Sequence, residues 1–320
     1  MRSVLVDNKR GFEFSFAWIF AILVGGMILF LALFATTRLV STERNIQDTE
    51  AGKKLGILLT PLETSLESGK ASVIKFSEES RLVNGCKNVG IFGTQELSVA
   101  SKSAFGNNEF QLDGIVASHF NNKYVFSGRV EQGTRMSLFV KPFEFPFKVA
   151  DLSYVFSEDY CFVNPPDEMK DEILGLGVRG LNVSSSRDLC KVDSKIVCFG
   201  SSGCDVDVSL SSGSVKKGRD SVFYDDRFGN ALLYGAIFAE DNIYECQVKR
   251  LGRRISELAL LEAKKMEYLA SEGCGADIVS ELSVLADGAR SLEGSSGLKT
   301  LGILAQQVEG RNENLICKVY

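Results

Sequence analysis

The feature that most constrains this chain is an uncharged apolar segment near its N-terminus. Residues 14–37 read FSFAWIFAILVGGMILFLALFATT and include no Asp, Glu, Lys or Arg. As a helix with a rise of about 1.5 Å per residue, this segment reaches roughly 36 Å, longer than the ~30 Å hydrocarbon layer of a bilayer. A soluble domain would have to bury every face of such a helix. We therefore predict a transmembrane helix over residues 14–37, with the lipid bilayer as a partner.

The flanks of this segment favour an uncleaved anchor over a signal peptide. Its apolar stretch is longer than the roughly 7–15 residues of a signal-peptide core, and Ala35-Thr36-Thr37 is a poor small-x-small cleavage site. Arg2, Lys9 and Arg10 precede it, whereas Arg38 and Arg44 follow it. This small excess of cations predicts a cytoplasmic head over residues 1–13.

The cysteines indicate the compartment of the remaining chain. All eight follow the apolar segment: Cys86, Cys161, Cys190, Cys198, Cys204, Cys246, Cys274 and Cys317. An even number of cysteines outside the membrane is typical of disulfide pairing in an oxidising space, with unpaired buried thiols as the alternative. Asn182-Val183-Ser184 is a possible glycosylation site that is compatible with export. We expect most of the chain to be extracytoplasmic.

Hydrophobic periodicity predicts an α+β fold with three segments after the membrane helix. Residues 41–70 place leucines at helical spacing and predict a helical stalk interrupted near Pro61, with a loose linker as the alternative. Residues 71–240 alternate with period two and predict a β-rich domain containing one βαβ-like unit. Residues 241–320 return to helical spacing and predict a helical hairpin.

The candidate strands of the β-rich domain are separated by Gly, Asn, Asp and Ser clusters. They are residues 72–77, 96–100, 124–130, 135–141, 147–156, 160–163, 195–199, 205–210, 221–224 and 231–238. The βαβ-like unit takes the strand at residues 150–156, a helix from Asn164 to Leu174, and a strand at residues 181–184. Prolines and acids at that helix start suit the positive end of a helix dipole.

Helix lengths suggest a pairing for two cysteines. A helix over residues 243–270 is about as long as helices over residues 276–292 and 297–308 placed end to end. A return arm of two pieces predicts a Cys246–Cys317 disulfide, whereas an up-down-up bundle pairs Cys317 with Cys274. A local Cys198–Cys204 disulfide across a turn is a further candidate.

The chain lacks the common catalytic and metal-binding motifs. It has one histidine, His119, and no C-x-x-C, G-x-S-x-G, Walker A or H-E-x-x-H string. The adjacent acids Asp225-Asp226 and Glu158-Asp159 lie in turn-like contexts that are typical of solvated surfaces. A formal net charge of −5 argues against a nucleic-acid partner. The sequence therefore predicts a protein that is not an enzyme, without cofactor or metal.

The membrane segment carries a pattern that is typical of helix association. Ala17, Ala21 and Gly25 are spaced at i, i+4 and i+8, so they share one helix face. Small residues allow close approach of two helices in lipid, although ordinary membrane-helix composition also produces such a pattern. Glu13 lies at the membrane edge and has either its own chain's Lys9 and Arg10 or a neighbouring chain's cation as a partner.

Two resemblances follow from these residues. Lys9-Arg10-Gly11-Phe12-Glu13 before an apolar helix resembles the prepilin-type (class III) signal of archaeal and bacterial pilin-like proteins. That resemblance implies cleavage between Gly11 and Phe12 and a helix that remains as an assembly stem below a β-rich head. The strings FPFKVADLSY, YCFVNPP and ENLICKVY are similar to those of uncharacterised archaeal single-pass surface proteins.

Together these features predict a membrane-anchored, extracytoplasmic component of the cell envelope. Its expected role is structural or adhesive, with self-association or another membrane protein as partner. The alternative is an extracytoplasmic ligand-binding or sensor domain, and an exported hydrolase is the third possibility.

Overall fold

The computed structural model describes residues 16–58, 71–102, 110, 117–274 and 278–320 and divides into two units, Met1–Gln47 and Asp48–Tyr320. Helix α1 (Phe16–Leu58) begins in the first unit. Its segment Phe16–Thr36 has a mean hydropathy of 2.6 and no buried residue, so by length and composition it is able to cross a membrane. The predicted Gly11, Phe12 and Glu13 features and residues 59–70 of the predicted stalk lie outside the described residues.

The second unit contains two six-stranded mixed sheets. Sheet 1 comprises β1 (Ala71–Lys87), β2 (Thr94–Ser101), β3 (Ser118–Phe120), β4 (Tyr124–Phe126), β5 (Val130–Glu144) and β6 (Lys148–Phe156). Its spatial order is β3-β2-β1-β5-β6-β4, and only the β4–β6 pair is parallel. Helix α1 lies close to β2 at Asp48 and Gly52. The Asp48 carboxylate accepts a hydrogen bond from the Ser101 hydroxyl at 2.8 Å.

Sheet 2 has a parallel centre and an antiparallel edge. Its strands are β7 (Tyr160–Val163), β8 (Leu181–Ser184), β9 (Lys195–Phe199), β10 (Val206–Ser209), β11 (Ser214–Lys217) and β12 (Asp220–Phe223), in the order β12-β11-β10-β9-β7-β8. Helix α2 (Asp167–Leu176) crosses from β7 to the parallel strand β8. The βαβ unit therefore starts at β7, and the strand predicted to start it belongs to sheet 1.

A short helix replaces the last predicted strand. Residues 231–238 form helix α3 (Ala231–Phe238), and all eight residues are buried. The strand prediction was wrong because a continuous apolar run fits a buried strand and a buried helix equally well. Gly235 lets α3 approach sheet 1 closely, since a Cβ at this position would lie 2.7 Å from the Phe126 ring.

The C-terminal helices α4 (Asp241–Ser271), α5 (Val279–Arg290) and α6 (Leu298–Glu313) run up, down and up. Glu245, near the start of α4, accepts hydrogen bonds from Ser295 after α5, and Lys265, near its end, donates to the carbonyl oxygen of Val319. Cys274 and Cys317 therefore meet and form a disulfide.

The predicted Cys246–Cys317 disulfide was wrong. Cys246 bonds instead to Cys86 of β1, 160 residues away. Helices α5 and α6 do not form one return arm, because the chain reverses between them at the 3₁₀ turn Ser295–Gly297. Cys198–Cys204 is bonded in the structure, as the local pairing predicted, and Cys161 bonds to Cys190.

Helix α4 is fastened to sheet 1 by a buried polar network next to the Cys86–Cys246 disulfide. Arg250 is fully buried and donates to the carbonyl oxygens of Lys123 and Phe92 and to Gln247. Gln247 in turn donates to Gln95 at 2.6 Å. Burial lowers the pKa of Arg250 to about 10, so the guanidinium remains charged at neutral pH. These neutral acceptors compensate for much of the lost hydration of the charge.

Single cysteine replacements distinguish the observed pairing from the predicted one. In Cys246→Ser, we expect Cys86 to become the free thiol and the free energy of unfolding to fall by about 2–5 kcal/mol. In the matched variant Cys317→Ser, the free thiol should be Cys274. Alkylation without reduction, followed by peptide mapping, identifies the free residue. Alkylation of Cys317 in Cys246→Ser would contradict the structure.

Candidate functional site

A cleft of about 380 Å³ lies where β5, the β6–β7 turn and the end of α3 meet the ends of the inner strands of sheet 2. Its volume is that of a small-molecule pocket. We call it the Glu131 cleft, and it is lined by residues that include Val130, Glu131, Ser157, Tyr160, Lys195 and Lys217. The complete lining comes from six segments of the chain, so the cleft exists only after the sheets have packed.

Glu131 is a buried carboxylate on β5 that accepts hydrogen bonds from the loop before β5 and from the turn between β6 and β7. One carboxylate oxygen accepts a hydrogen bond from the Gly128 amide at 2.9 Å. The other accepts from the amide and the hydroxyl of Ser157, at 2.9 and 2.6 Å. Burial raises the pKa of Glu131, while these hydrogen bonds oppose the shift. Because both hydrogen bonds from Ser157 converge on one oxygen, the arrangement braces the turn before β7.

Lys217 brings a partly desolvated ammonium to the other wall. It ends β11, and its Nζ donates a hydrogen bond to the carbonyl oxygen of Ala239, just after α3. Asp241 lies 3.8 Å from the same ammonium. Burial lowers the pKa of Lys217 to about 8, against the opposing effect of Asp241. A lysine with this pKa is mostly protonated at pH 7 and is half neutral near pH 8.

Aromatic side chains line the apolar floor. Tyr160 and Phe238 pack edge to face with ring centroids 4.8 Å apart. The Lys195 ammonium lies 5.8 Å from the centroid of the Tyr160 ring and forms an ion pair with Glu158. Burial raises the pKa of Tyr160, so its phenol stays neutral. An apolar floor under a rim of both charges is typical of a site that orients a small polar molecule.

The cleft's polar groups already have partners within the protein. Asp205 accepts from the Ile196 amide, and Glu240 accepts from the Arg129 amide. Among the described residues, no group of three His, Cys, Asp or Glu side chains is placed to hold a metal ion.

Apart from Glu158, which lines the cleft, the residues that the sequence singled out lie elsewhere. Ala17, Ala21 and Gly25 are exposed along α1, and a Cβ at Gly25 would meet no atom within 4 Å. Asn182 is exposed on β8. His119 is exposed on β3, with Nδ1 3.2 Å from Glu96.

The two pairs of adjacent acids have cationic neighbours. Asp225 is buried against Arg227, contrary to the expected solvated turn, whereas Glu158 and Asp159 are partly exposed and pair with lysines.

Sequence reasoning missed the Glu131 cleft. Period-two counting along β5 does place Glu131 on the face that carries buried Phe139. Between them on this face lie polar or small residues, namely Gly133, Arg135 and Ser137. The pattern therefore predicts that this end of the strand is solvated surface. Lys217 likewise follows exposed Lys216, and its burial depends on the chain between α3 and α4, where Ala239 accepts its hydrogen bond.

The lowered pKa of Lys217 predicts a pH-dependent contribution to stability. The folded chain loses this proton near pH 8, whereas the unfolded chain keeps it to about pH 10.5, so stability rises with pH in that window. We expect wild type to gain about 1–3 kcal/mol of unfolding free energy relative to Lys217→Met between pH ~7.5 and ~9.5. Denaturant titrations measure this difference.

The control for this prediction is Lys216→Met, which removes the exposed neighbouring lysine on the same strand. It should keep the wild-type pH dependence. Parallel pH profiles for wild type and Lys217→Met would show that the ammonium is solvated.

No family model, curated protein or solved structure matches this chain. Its functional assignment therefore depends on the geometry of the Glu131 cleft, the membrane-length helix and the disulfides.

Proposed function

We propose that this chain is a single-pass membrane protein that displays its second unit outside the cytoplasm as a structural or adhesive component of the cell envelope. The observation that supports this proposal most strongly is the wholly exposed apolar segment Phe16–Thr36. Lipid is the solvent that removes the cost of exposing such a surface to water.

The cysteines support an extracytoplasmic position. All eight form disulfides, within pairs separated by 6 to 160 residues. Pairing of every cysteine is typical of proteins that fold in an oxidising space, because cytosolic reductants keep thiols reduced. Four disulfides stabilise the second unit, which suits a component exposed to mechanical and chemical stress.

The membrane helix supports self-association. Ala17, Ala21 and Gly25 form a smooth strip, defined by these three residues, on a helix whose surroundings are open in the single chain. Helices pack closely in lipid through such strips, because van der Waals contact replaces the hydrophobic effect there. A second copy of the chain is the partner that fits this strip.

An impermeant amine-reactive cross-linker applied to intact expressing cells tests display and self-association together. Wild type should react and form dimers and larger species. Gly25→Leu should reduce cross-linking several-fold, because the leucine side chain holds the helices apart. Gly26→Leu is the matched control, since Gly26 is equally open but lies on another face of the helix.

The possible failures of this experiment are separable. A chain that stays unmodified in intact cells but reacts after lysis has its second unit inside, which contradicts the display. A modified chain that remains monomeric contradicts self-association. Equal losses in Gly25→Leu and Gly26→Leu would remove the role of the smooth strip.

The Glu131 cleft favours a second candidate function, a ligand-binding or sensor domain. Its volume of about 380 Å³ and its aromatic floor suit a small molecule with a charged group. Glu131 and the Ala239 carbonyl fix the two walls, so the cleft is formed before a ligand arrives.

Blocking the cleft tests this second candidate. In NMR fragment screening of the full chain, binders should shift signals of the cleft residues. Val130→Trp, which places an indole at the half-exposed mouth, should abolish those shifts. Val89→Trp adds the same ring at an exposed position outside the cleft lining and should preserve them. Fragment binding that survives Val130→Trp would exclude the cleft as the site.

A further inference from the structure

A second concave surface adjoins the Glu131 cleft and has a different chemistry. It is a groove of about 440 Å³, which we call the cationic groove, and its lining consists of Val73, Lys75, Arg135, Ser137, Ser157, Glu158, Asp159 and Arg179. Ser157 and Glu158 line both surfaces. Lys75, Arg135 and Arg179 are exposed and bring three cations to one groove.

Two of these cations oppose each other across the strands. Lys75 of β1 and Arg135 of β5 are register partners in an antiparallel pair, and Val73 and Ser137 are the next partners on the same face. Like charges directly opposite on adjacent strands destabilise a sheet. A cross-strand repulsion that lacks a structural benefit is expected mainly at functional sites.

The anions in the groove do not neutralise these cations. Glu158 forms its ion pair with Lys195, and Asp159 forms its pair with Lys191 at 3.2 Å. Among the described residues, the side chains of Lys75, Arg135 and Arg179 form no ion pair or hydrogen bond. Their charged groups therefore remain available to an external anion.

Backbone contacts around Arg179 fix the shape of the groove. The hydroxyl of Ser137 donates to the carbonyl oxygen of Arg179 at 3.3 Å, which ties the loop before β8 to β5. Gly180, in the left-handed region with φ of 99°, lies against Asp159, and a Cβ there would be 2.9 Å from that carboxylate. The three cations are thus presented from segments with fixed relative positions.

We propose that the cationic groove binds an oxyanion group with more than one negative charge, such as a phosphate or a pair of carboxylates. Two guanidinium groups supply planar forks that match such oxygens, and the ammonium adds a third charge. The chain as a whole is acidic, with a formal net charge of −5, so this attraction is local. The site is distinct from self-association through the membrane helix and does not depend on it.

Calorimetric titration of pyrophosphate into the full chain in phosphatidylcholine nanodiscs tests the site. Wild type should bind. Arg135→Gln combined with Arg179→Gln should weaken binding by about tenfold or more, because two charge-assisted contacts are lost. Arg219→Gln is the control, since Arg219 is exposed in the β11–β12 turn outside the groove, and its change should stay within about twofold.

A stability measurement separates binding from a structural role. Without anion, Lys75→Gln should raise the melting temperature by about 1–2 °C by removing the repulsion from Arg135. Pyrophosphate should raise the melting temperature of wild type and have little effect on the double variant. A decrease in melting temperature for Lys75→Gln would indicate that the cations stabilise the fold.

Titrations in nanodiscs of a second lipid composition identify the source of the anion. Weaker pyrophosphate binding in discs that contain phosphatidic acid, whose phosphomonoester has two ionisable oxygens, would point to lipid headgroups, and unchanged binding would point to a soluble or surface ligand. In both cases binding depends on Lys75, Arg135 and Arg179. Absence of pyrophosphate binding to wild type, or equal weakening by Arg219→Gln, would overturn the proposal.

Discussion

The attachment of helix α4 to sheet 1 is the constraint on which the second unit depends. Arg250 is a fully buried cation whose acceptors are carbonyl and amide oxygens, and its guanidinium also lies 4.7 Å from the centroid of the Tyr124 ring. Leaving such a charge unsatisfied in the interior would cost several kcal/mol. The helix therefore has one favourable position on the sheet, and the Cys86–Cys246 disulfide fixes the same position covalently.

This attachment determines where the concave surfaces lie. With α4 against sheet 1, α3 fills the space between the sheets, and its C-terminal end reaches Lys217. The apolar core along β5 ends near Phe139, and the same strand face continues through Ser137 and Arg135 to Glu131. The cationic groove and the Glu131 cleft are thus successive parts of the face that sheet 1 turns toward the core.

Local sequence patterns predicted helices and strands correctly where a pattern was compatible with only one type of secondary structure. The strands at residues 160–163 and 195–199 were placed correctly because β-branched and aromatic residues lie between clear turn signals. Residues 231–238 fitted both a strand and a buried helix, and Gly235 against Phe126 is a contact that no local pattern contains. Cys246 was misassigned for the same reason, since its partner is 160 residues away. The Glu131 cleft was not predicted, because its residues are unremarkable in their own segments.

The sequence by itself determined the membrane-length helix, the α+β class and the predominance of disulfides, because these depend on composition and short-range periodicity. Tertiary structure alone decided the pairing of Cys246 and Cys317, the desolvation of Glu131 and Lys217, and the convergence of Lys75, Arg135 and Arg179. Those properties depend on distances between segments far apart in the chain. Burial and charge proximity, which set pKa values and binding chemistry, arise only when the two sheets and the helices pack.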